Sequence, residues 1–226
     1  MLSFIAWKCS KVVTQMLNRF ITVEGIEGVG KSTICHTITQ YLHQQNFPVI
    51  QTREPGGTPI GEAIRQVILN DYSHAMANMC ELLLMFAALA QHIEQVISPA
   101  LAHNQWVLSD RFSDASFAYQ GAGRGIALEK ISQLETLVQN DLRPGLTFLL
   151  DAPVEIALNR LLVRGKLDRI EQEKSSFFER IRLGYLQRAQ SQPERYRIID
   201  ATLPLQEVQN NVKQQLQEYI QYTSRT

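Results

Sequence analysis

The sequence predicts an α/β fold of three layers, a parallel sheet flanked by helices on both faces, within one domain. Three observations predict it. Short apolar or β-branched runs alternate with longer segments whose apolar residues recur every three or four positions, and strands alternating with helices pair in parallel beneath crossover helices. The first apolar run opens into a glycine-rich turn just ahead of a helical segment. Two further runs end in charged pairs, Arg53-Glu54 and Asp110-Arg111, at the strand end where parallel sheets bind ligands.

At 226 residues the chain suits a single α/β domain with a sizeable core. Lys plus Arg and Asp plus Glu both number 22, so no overall field attracts a polyanion, and nucleic-acid or membrane-surface partners are disfavoured. Cys9, Cys35 and Cys80 show neither CxxC nor metal-ligand spacing, which fits free thiols in a reducing cytoplasm, with Cys35 in the core. Residues 1–15 differ in character from the rest of the chain and lack the longer apolar stretch and cleavage site of a signal peptide. They read as an extension that adds nothing to the site, ahead of a domain spanning 16–226.

Taken in order, Phe20, Ile21, Thr22 and Val23 form the first strand, followed by Gly25-Ile26-Glu27-Gly28-Val29-Gly30-Lys31-Ser32-Thr33. Glycine, four residues, then Gly-Lys-Ser after a strand is a Walker A motif. Its glycines let backbone N–H groups turn inward to cradle phosphate oxygens. Lys31 neutralises the β- and γ-phosphates and the Ser32 hydroxyl ligates Mg²⁺. Residues 33–45 continue as a helix with Ile34, Ile38 and Leu42 on one face.

A second strand over 48–52 ends in Arg53-Glu54-Pro55-Gly56-Gly57-Thr58. Arg53 is a candidate anion contact; the alternative is a surface turn with an ion pair. Residues 60–69 read as a helix packing Ile60, Ile64, Val67 and Ile68 inward. Residues 78–98 read as one longer helix whose apolar run, 82–90, is too short to cross a bilayer. A helix apolar on most sides is central in the fold or shared with a partner subunit. His92 on it reads as a structural histidine.

The strand over 106–110 delivers Asp110 to orient Mg²⁺ or its water shell and Arg111 to face the transferring phosphates. Residues 113–125 carry three glycines and read as a loop, from which the Gln120 amide can read a base edge with its paired donor and acceptor. Residues 128–140 are amphipathic and 146–151 form another buried strand. The helix after Pro153 carries Arg160 and Arg164 on one face, continuing into Gly165-Lys166-Leu167-Asp168-Arg169. These cations are either a solvated helix end or, over about 160–172, a lid that closes on phosphates and excludes water. A helix over 173–189, a strand over 196–199 and a helix over 205–222 complete the chain, the last with Val208, Val212 and Leu216 on one face.

With these segments in view the sequence resembles the thymidylate kinase family from about residue 16 onward. The resemblance is carried by VEGIEGVGKST, TREPGGT, DRF with SFAYQG, RGI, PGLTFLLD, RGKLDRIE and IDA. It implies a P-loop kinase fold, a cytoplasmic homodimer, and Mg²⁺-dependent transfer of the ATP γ-phosphate to dTMP on the way to dTTP. It also implies that Glu27 lies near the acceptor's sugar hydroxyl and 5′-phosphate, that Arg53 and Arg111 surround that phosphate, and that Ser116 and Gln120 read the thymine edge. Arg160 falls on the adenine side, and Arg164 and Arg169 in the lid.

Gly28 stands where eukaryotic-type members place an arginine, so the resemblance is to the bacterial type, in which Arg164 or Arg169 of the lid supplies the catalytic charge. One segment departs from the pattern. The family's base-stacking Phe and the Arg four residues later correspond to Met85 and Leu89 when Gln91-His92 are aligned, or the register shifts if Phe86 is aligned; either way the arginine is missing. That leaves a kinase for another deoxynucleoside monophosphate as the alternative activity, and a non-catalytic nucleotide-binding module as the alternative class.

Overall fold

The computed structural model describes residues 18–165 and 167–224, with Arg164 described by its backbone alone. The predicted extension at 1–15 and the lid residue Lys166 lie outside the described residues. Five strands, β1 (Phe20–Glu24), β2 (Val49–Arg53), β3 (Trp106–Asp110), β4 (Leu146–Asp151) and β5 (Tyr196–Asp200), form one sheet in the order β2-β3-β1-β4-β5. Every pairing is parallel.

All five residues of β1 are buried, as expected for a central strand covered on both faces. The chain leaves β1 toward β2 and β3 on one side and later passes to β4 and β5 on the other, so the crevice at the C-terminal end of β1 is the topological switch point. Register sets what meets there. Val23 lies opposite Asp110 and Phe148, and Arg53 lies opposite Asp110, so the charged pairs and the glycine-rich turn share one edge.

Helix α1 (Lys31–Gln44) buries Ile34, Cys35, Ile38 and Leu42. Helix α2 (Pro59–Leu69) starts at Thr58, whose hydroxyl accepts from the Gly61 N–H at 2.9 Å and so satisfies a helix-end donor. Its buried face is narrower than the spacing predicts: Ile68 is buried and Ile64 packs on the core, while Ile60 and Val67 are exposed, because this helix meets the core along a single stripe.

The long helix predicted over 78–98 is instead α3 (Asn78–His92), a π-helical turn (Ile93–Ile97) and α4 (Ser98–Ala102). By length and composition Asn78–Ala102 could cross a membrane. Here it packs Leu82, Phe86, Leu89, Ile93 and Ile97 into the core and buries Glu81 and His92 with polar partners, the pattern of a core helix.

The glycine-rich stretch predicted as a loop is helical: α5 (Ser113–Ser116) followed by a π-helical turn (Phe117–Gly123). Its glycines serve close packing. A Cβ on Gly123 would stand 2.7 Å from the Phe177 ring, and one on Gly121 2.7 Å from Leu128 Cδ2. Helices α6 (Leu128–Gln139), α7 (Val154–Arg164), α8 (Ser175–Ser191) and α9 (Leu205–Thr223) complete the described fold. Val208, Val212 and Leu216 are buried on one face of α9, as their spacing predicts.

Candidate active site

The turn after β1 requires its glycines. Gly25, Gly28 and Gly30 have φ of 135, 77 and 97°, values side chains seldom adopt. A Cβ on Gly28 would lie 2.0 Å from the Ala157 carbonyl oxygen, so α7 leaves no space for the arginine of eukaryotic-type enzymes. Ile26 and Val29 are buried in the core and anchor the loop, leaving the backbone of Gly28 and Gly30 with Lys31, Ser32 and Thr33 to line a cleft of about 480 Å³.

Lys31 donates from Nζ to the Ile26 carbonyl at 2.8 Å. Burial, then the neighbouring charge of Arg111, lower its pKa from 10.5 to about 8; an anionic phosphate beside it favours the charged form again.

Arg111 occupies the centre of the opposite wall. Its φ of 72° is left-handed, a conformation that costs a non-glycine residue about 1–3 kcal/mol. The contacts holding it are the Arg111 N–H to the Val23 carbonyl (3.0 Å) and the Ser109 hydroxyl to the Arg111 carbonyl (2.6 Å). The guanidinium donates from Nη1 to the Gly25 carbonyl and the Tyr185 hydroxyl (2.8 and 2.9 Å) and from Nη2 to Glu27 and the Tyr119 hydroxyl (both 2.8 Å). Tyr119 donates to Glu27 at 2.7 Å. Burial pushes the Glu27 carboxyl up, but Arg111 and Lys31 outweigh it and hold the pKa below the usual carboxylate value, so Glu27 is ionised.

Of the other predicted residues, Arg53, Asp110, Ser116, Gln120, Met85 and Arg160 line the same cleft. Arg53 also makes the surface ion pair weighed as its alternative, to Glu62 at 2.8 Å. Arg160 donates to the Ala201 carbonyl at 2.9 Å and borders a smaller adjoining hollow with Gly28, Thr33, Ala201 and Leu205. His92 is satisfied by Thr52 Oγ1 at 2.6 Å and by Glu54.

Besides Gly25, Ile26 and Val29 of the loop itself, two predicted residues do not line the cleft. Phe86 is buried in the core cluster on the far side of α3, whereas Met85 and Leu89 face the cleft. Arg169 is turned away, donating from Nη2 to Glu81 at 2.6 Å and from Nε to the Ile68 carbonyl at 2.7 Å, because a buried carboxylate offers a stronger partner than solvent. The side chain of Arg164 lies outside the described residues.

Several residues were missed. Tyr119 and Tyr185 hold Arg111, Arg65 reaches the cleft while donating to the Pro55 carbonyl at 3.0 Å, and Glu81 binds Gln120, Arg124 and Arg169 together. One signal for Glu81 was present, an acid at the head of an otherwise apolar helix face, since charged residues are seldom buried without partners.

The donor set suits Mg²⁺. Ser32 and Asp110 present hard oxygen ligands to one cleft, and among the described residues no group of three or more His, Cys, Asp or Glu could hold a metal ion. Mg²⁺ takes few protein ligands and completes its shell with water and phosphate oxygens.

A parallel sheet with a Walker A loop on its central strand, a cation-lined cleft at the switch point and a basic segment beyond it define a P-loop phosphotransferase. Comparison with known proteins narrows the class. A family model described as "Thymidylate kinase" matches residues 23–212, and this chain belongs to the thymidylate kinase family. It is 54% identical over 197 residues to the thymidylate kinase of Pseudomonas entomophila, covering 87% of this chain and 94% of the relative. It is 50% identical over 205 residues to that of Teredinibacter turnerae, covering 91% and 100%. Among solved structures, the thymidylate kinase from Ehrlichia chaffeensis superposes with a TM-score of 0.70 at 33% identity, covering 89% of this chain and 97% of that one.

Proposed function

We propose that this chain transfers the γ-phosphate of ATP to dTMP, giving dTDP and ADP, with the two nucleotides meeting in the cleft between the Walker A loop and Arg111. The observation that carries the reading is the Arg111–Glu27 pair at 2.8 Å. It ties the phosphate-binding loop to the opposite wall, so donor and acceptor phosphates converge on one cationic centre.

Phosphoryl transfer needs positioning and charge neutralisation more than a chemical base. Lys31 and the loop amides hold the donor phosphates, Arg53 and Arg111 the acceptor phosphate, and Glu27 both fixes Arg111 and reaches the acceptor sugar. Arg160 contributes on the adenine side. The remaining charge comes from the lid, so Arg169 exchanges Glu81 for the phosphates when both substrates are present, and Arg164 shares that role. Ser32 and, through water, Asp110 hold Mg²⁺, which neutralises phosphate oxygens when bound.

Ser116 and Gln120 face the thymine edge, and Met85 and Leu89 supply an apolar wall where other members carry an arginine. A coupled assay of ADP release with dTMP, dUMP and dGMP tests this reading. Turnover led by dTMP is expected; no acceptor-dependent ADP release with dTMP would overturn it.

The reading includes a cytoplasmic homodimer with no nucleic-acid or membrane partner. Support comes from the exposed Met79 and Leu83 on the outer face of α3, an apolar stripe suited to a second copy. Light scattering of wild type and Leu83→Glu tests it: a dimer that Leu83→Glu converts to monomer is expected, and a monomeric wild type would refute it.

A further inference from the structure

Gln120 is 1% exposed and lines the cleft. An amide has two faces of opposite meaning, an NH₂ that only donates and an oxygen that only accepts. Which face reaches a ligand depends on what holds the other. Here Nε2 of Gln120 donates to Glu81 Oε1 at 2.9 Å.

Glu81, on α3, is itself 1% exposed. It also accepts from Arg124 Nε at 3.2 Å and Nη2 at 3.3 Å, and from Arg169 Nη2 at 2.6 Å. Burial pushes its carboxyl up, but the Gln120 hydrogen bond and the two arginines outweigh it and hold its pKa below the usual value. An ionised carboxylate has no proton to offer. The reverse flip of Gln120 would set two acceptors against each other in a buried site, so the NH₂ is committed to Glu81. The Gln120 side-chain oxygen has no donor among the described residues and remains for a ligand.

We propose that Glu81 is a positioning residue for acceptor specificity: by fixing the flip of the Gln120 amide, it presents a carbonyl oxygen to the base and selects a pyrimidine whose ring nitrogen carries a hydrogen. Thymine and uracil have that N–H donor. Cytosine has an unprotonated ring nitrogen there, which would face the amide oxygen acceptor to acceptor. Discrimination thus rests on an unfavourable pairing with the wrong base as much as on a favourable one with the right base. The inference rests on the reading that Gln120 faces the base.

The test compares kcat/KM for dTMP and dCMP in wild type, Glu81→Gln, Gln120→Ala and the double variant. The amide that Glu81→Gln introduces could donate as well as accept, so Gln120 would gain its second flip, and the dTMP:dCMP ratio falls about tenfold or more, carried by KM. A change in lid behaviour through Arg169 acts on both acceptors and cancels in the ratio. In the Gln120→Ala background Glu81→Gln changes the ratio no further.

A ratio unchanged by Glu81→Gln but lowered by Gln120→Ala overturns the inference alone. A ratio unchanged by Gln120→Ala overturns the base-edge reading beneath it. Glu81→Asp keeps an acceptor-only partner and retains the wild-type ratio even if turnover drops; a ratio that falls as in Glu81→Gln argues against the amide flip. If Glu81→Gln does not fold, Glu81→Ala, which removes the acceptor that holds the amide, decides: a dTMP:dCMP ratio lowered about tenfold or more supports the inference, and an unchanged ratio sinks it.

Discussion

Two ionised carboxylates hold arginines at this cleft, and they are built for different work. Glu27 sits on the phosphate-binding loop, and its partners Arg111 and Tyr119 face the same cleft. Glu81 sits on α3 and gathers Gln120, Arg124 and Arg169, of which only Gln120 lines the cleft. The first carboxylate fixes an arginine in place within the cleft. The second restrains an arginine outside it while orienting a neutral amide toward it. An ion pair made of groups already facing a site supports preorganisation, whereas one that draws a cation away from the site can serve exchange between two positions.

The largest expected effect strips the Glu27 side. Arg111→Ala leaves Glu27 part-buried without its arginine partner and removes the contact proposed for the acceptor phosphate. The expected result is a loss of kcat/KM of about a thousandfold and a destabilisation of about 3–5 kcal/mol, read by steady-state kinetics and thermal melts. A variant with near-normal kcat/KM would show that Glu27 and Arg111 are scaffold alone.

Arg169→Ala strips the Glu81 side and separates the two roles. If Arg169 leaves Glu81 to stabilise charge in flight, kcat falls by about a hundredfold with little change in the KM for dTMP. A rise in KM with kcat intact would mean that both carboxylates serve static positioning, and the contrast between them would collapse.

The third prediction concerns Lys31, which shares the Glu27 side. Its pKa near 8 in the protein alone is below the value it takes beside phosphate, so ATP binding takes up a proton above pH 8. Affinity is therefore full below pH 8 and weakens as pH rises through and beyond it, by up to about tenfold per unit. Calorimetric titration from pH 7 to 9.5 checks this, and Lys31→Arg, charged throughout, is expected to flatten the profile. An unchanged wild-type affinity across that range would remove Lys31 from the ionic core of the site.

The smallest effect concerns a third carboxylate, at the end of β1. Glu24 is buried and accepts from the Phe112 N–H and the Tyr185 hydroxyl at 2.8 and 2.7 Å. Burial, then repulsion from Asp114, raise its pKa from 4.5 to about 8. Between those values the folded state holds a proton the unfolded chain has released, so this group makes stability fall as pH rises from about 4.5 to 8. Glu24→Gln removes that slope, and its melting temperature is expected to gain a few degrees on wild type at pH 9 compared with pH 5. Parallel profiles for the two proteins would show that Glu24 is ionised throughout.

How much of this was legible depends on sequence distance. The Walker A loop, Arg53 and the Asp110-Arg111 pair were readable because each depends on a contiguous strand-to-turn pattern. The wall containing Gln120 was readable as chemistry but not as structure: glycines that permit close packing of helices look the same in sequence as glycines that make a loop. Ile60 and Val67 fit a helical period and still face solvent, since periodicity gives a face but not the width of what covers it. The resemblance allowed two registers around Met85, Phe86 and Leu89, and only the packing of α3 shows that Met85 and Leu89 line the cleft while Phe86 is buried.

The sequence by itself determined the five strands and their order along the chain, and the glycine-rich turn that carries Lys31 and Ser32 into α1. These features arise from local backbone geometry, which neighbouring residues dictate. Tertiary structure alone decided the Glu81 cluster, whose partners stand 39, 43 and 88 positions away, and the direction in which Arg169 points. A buried carboxylate takes whichever donors the packing of distant helices brings within reach, and that selection is made by burial and charge in three dimensions.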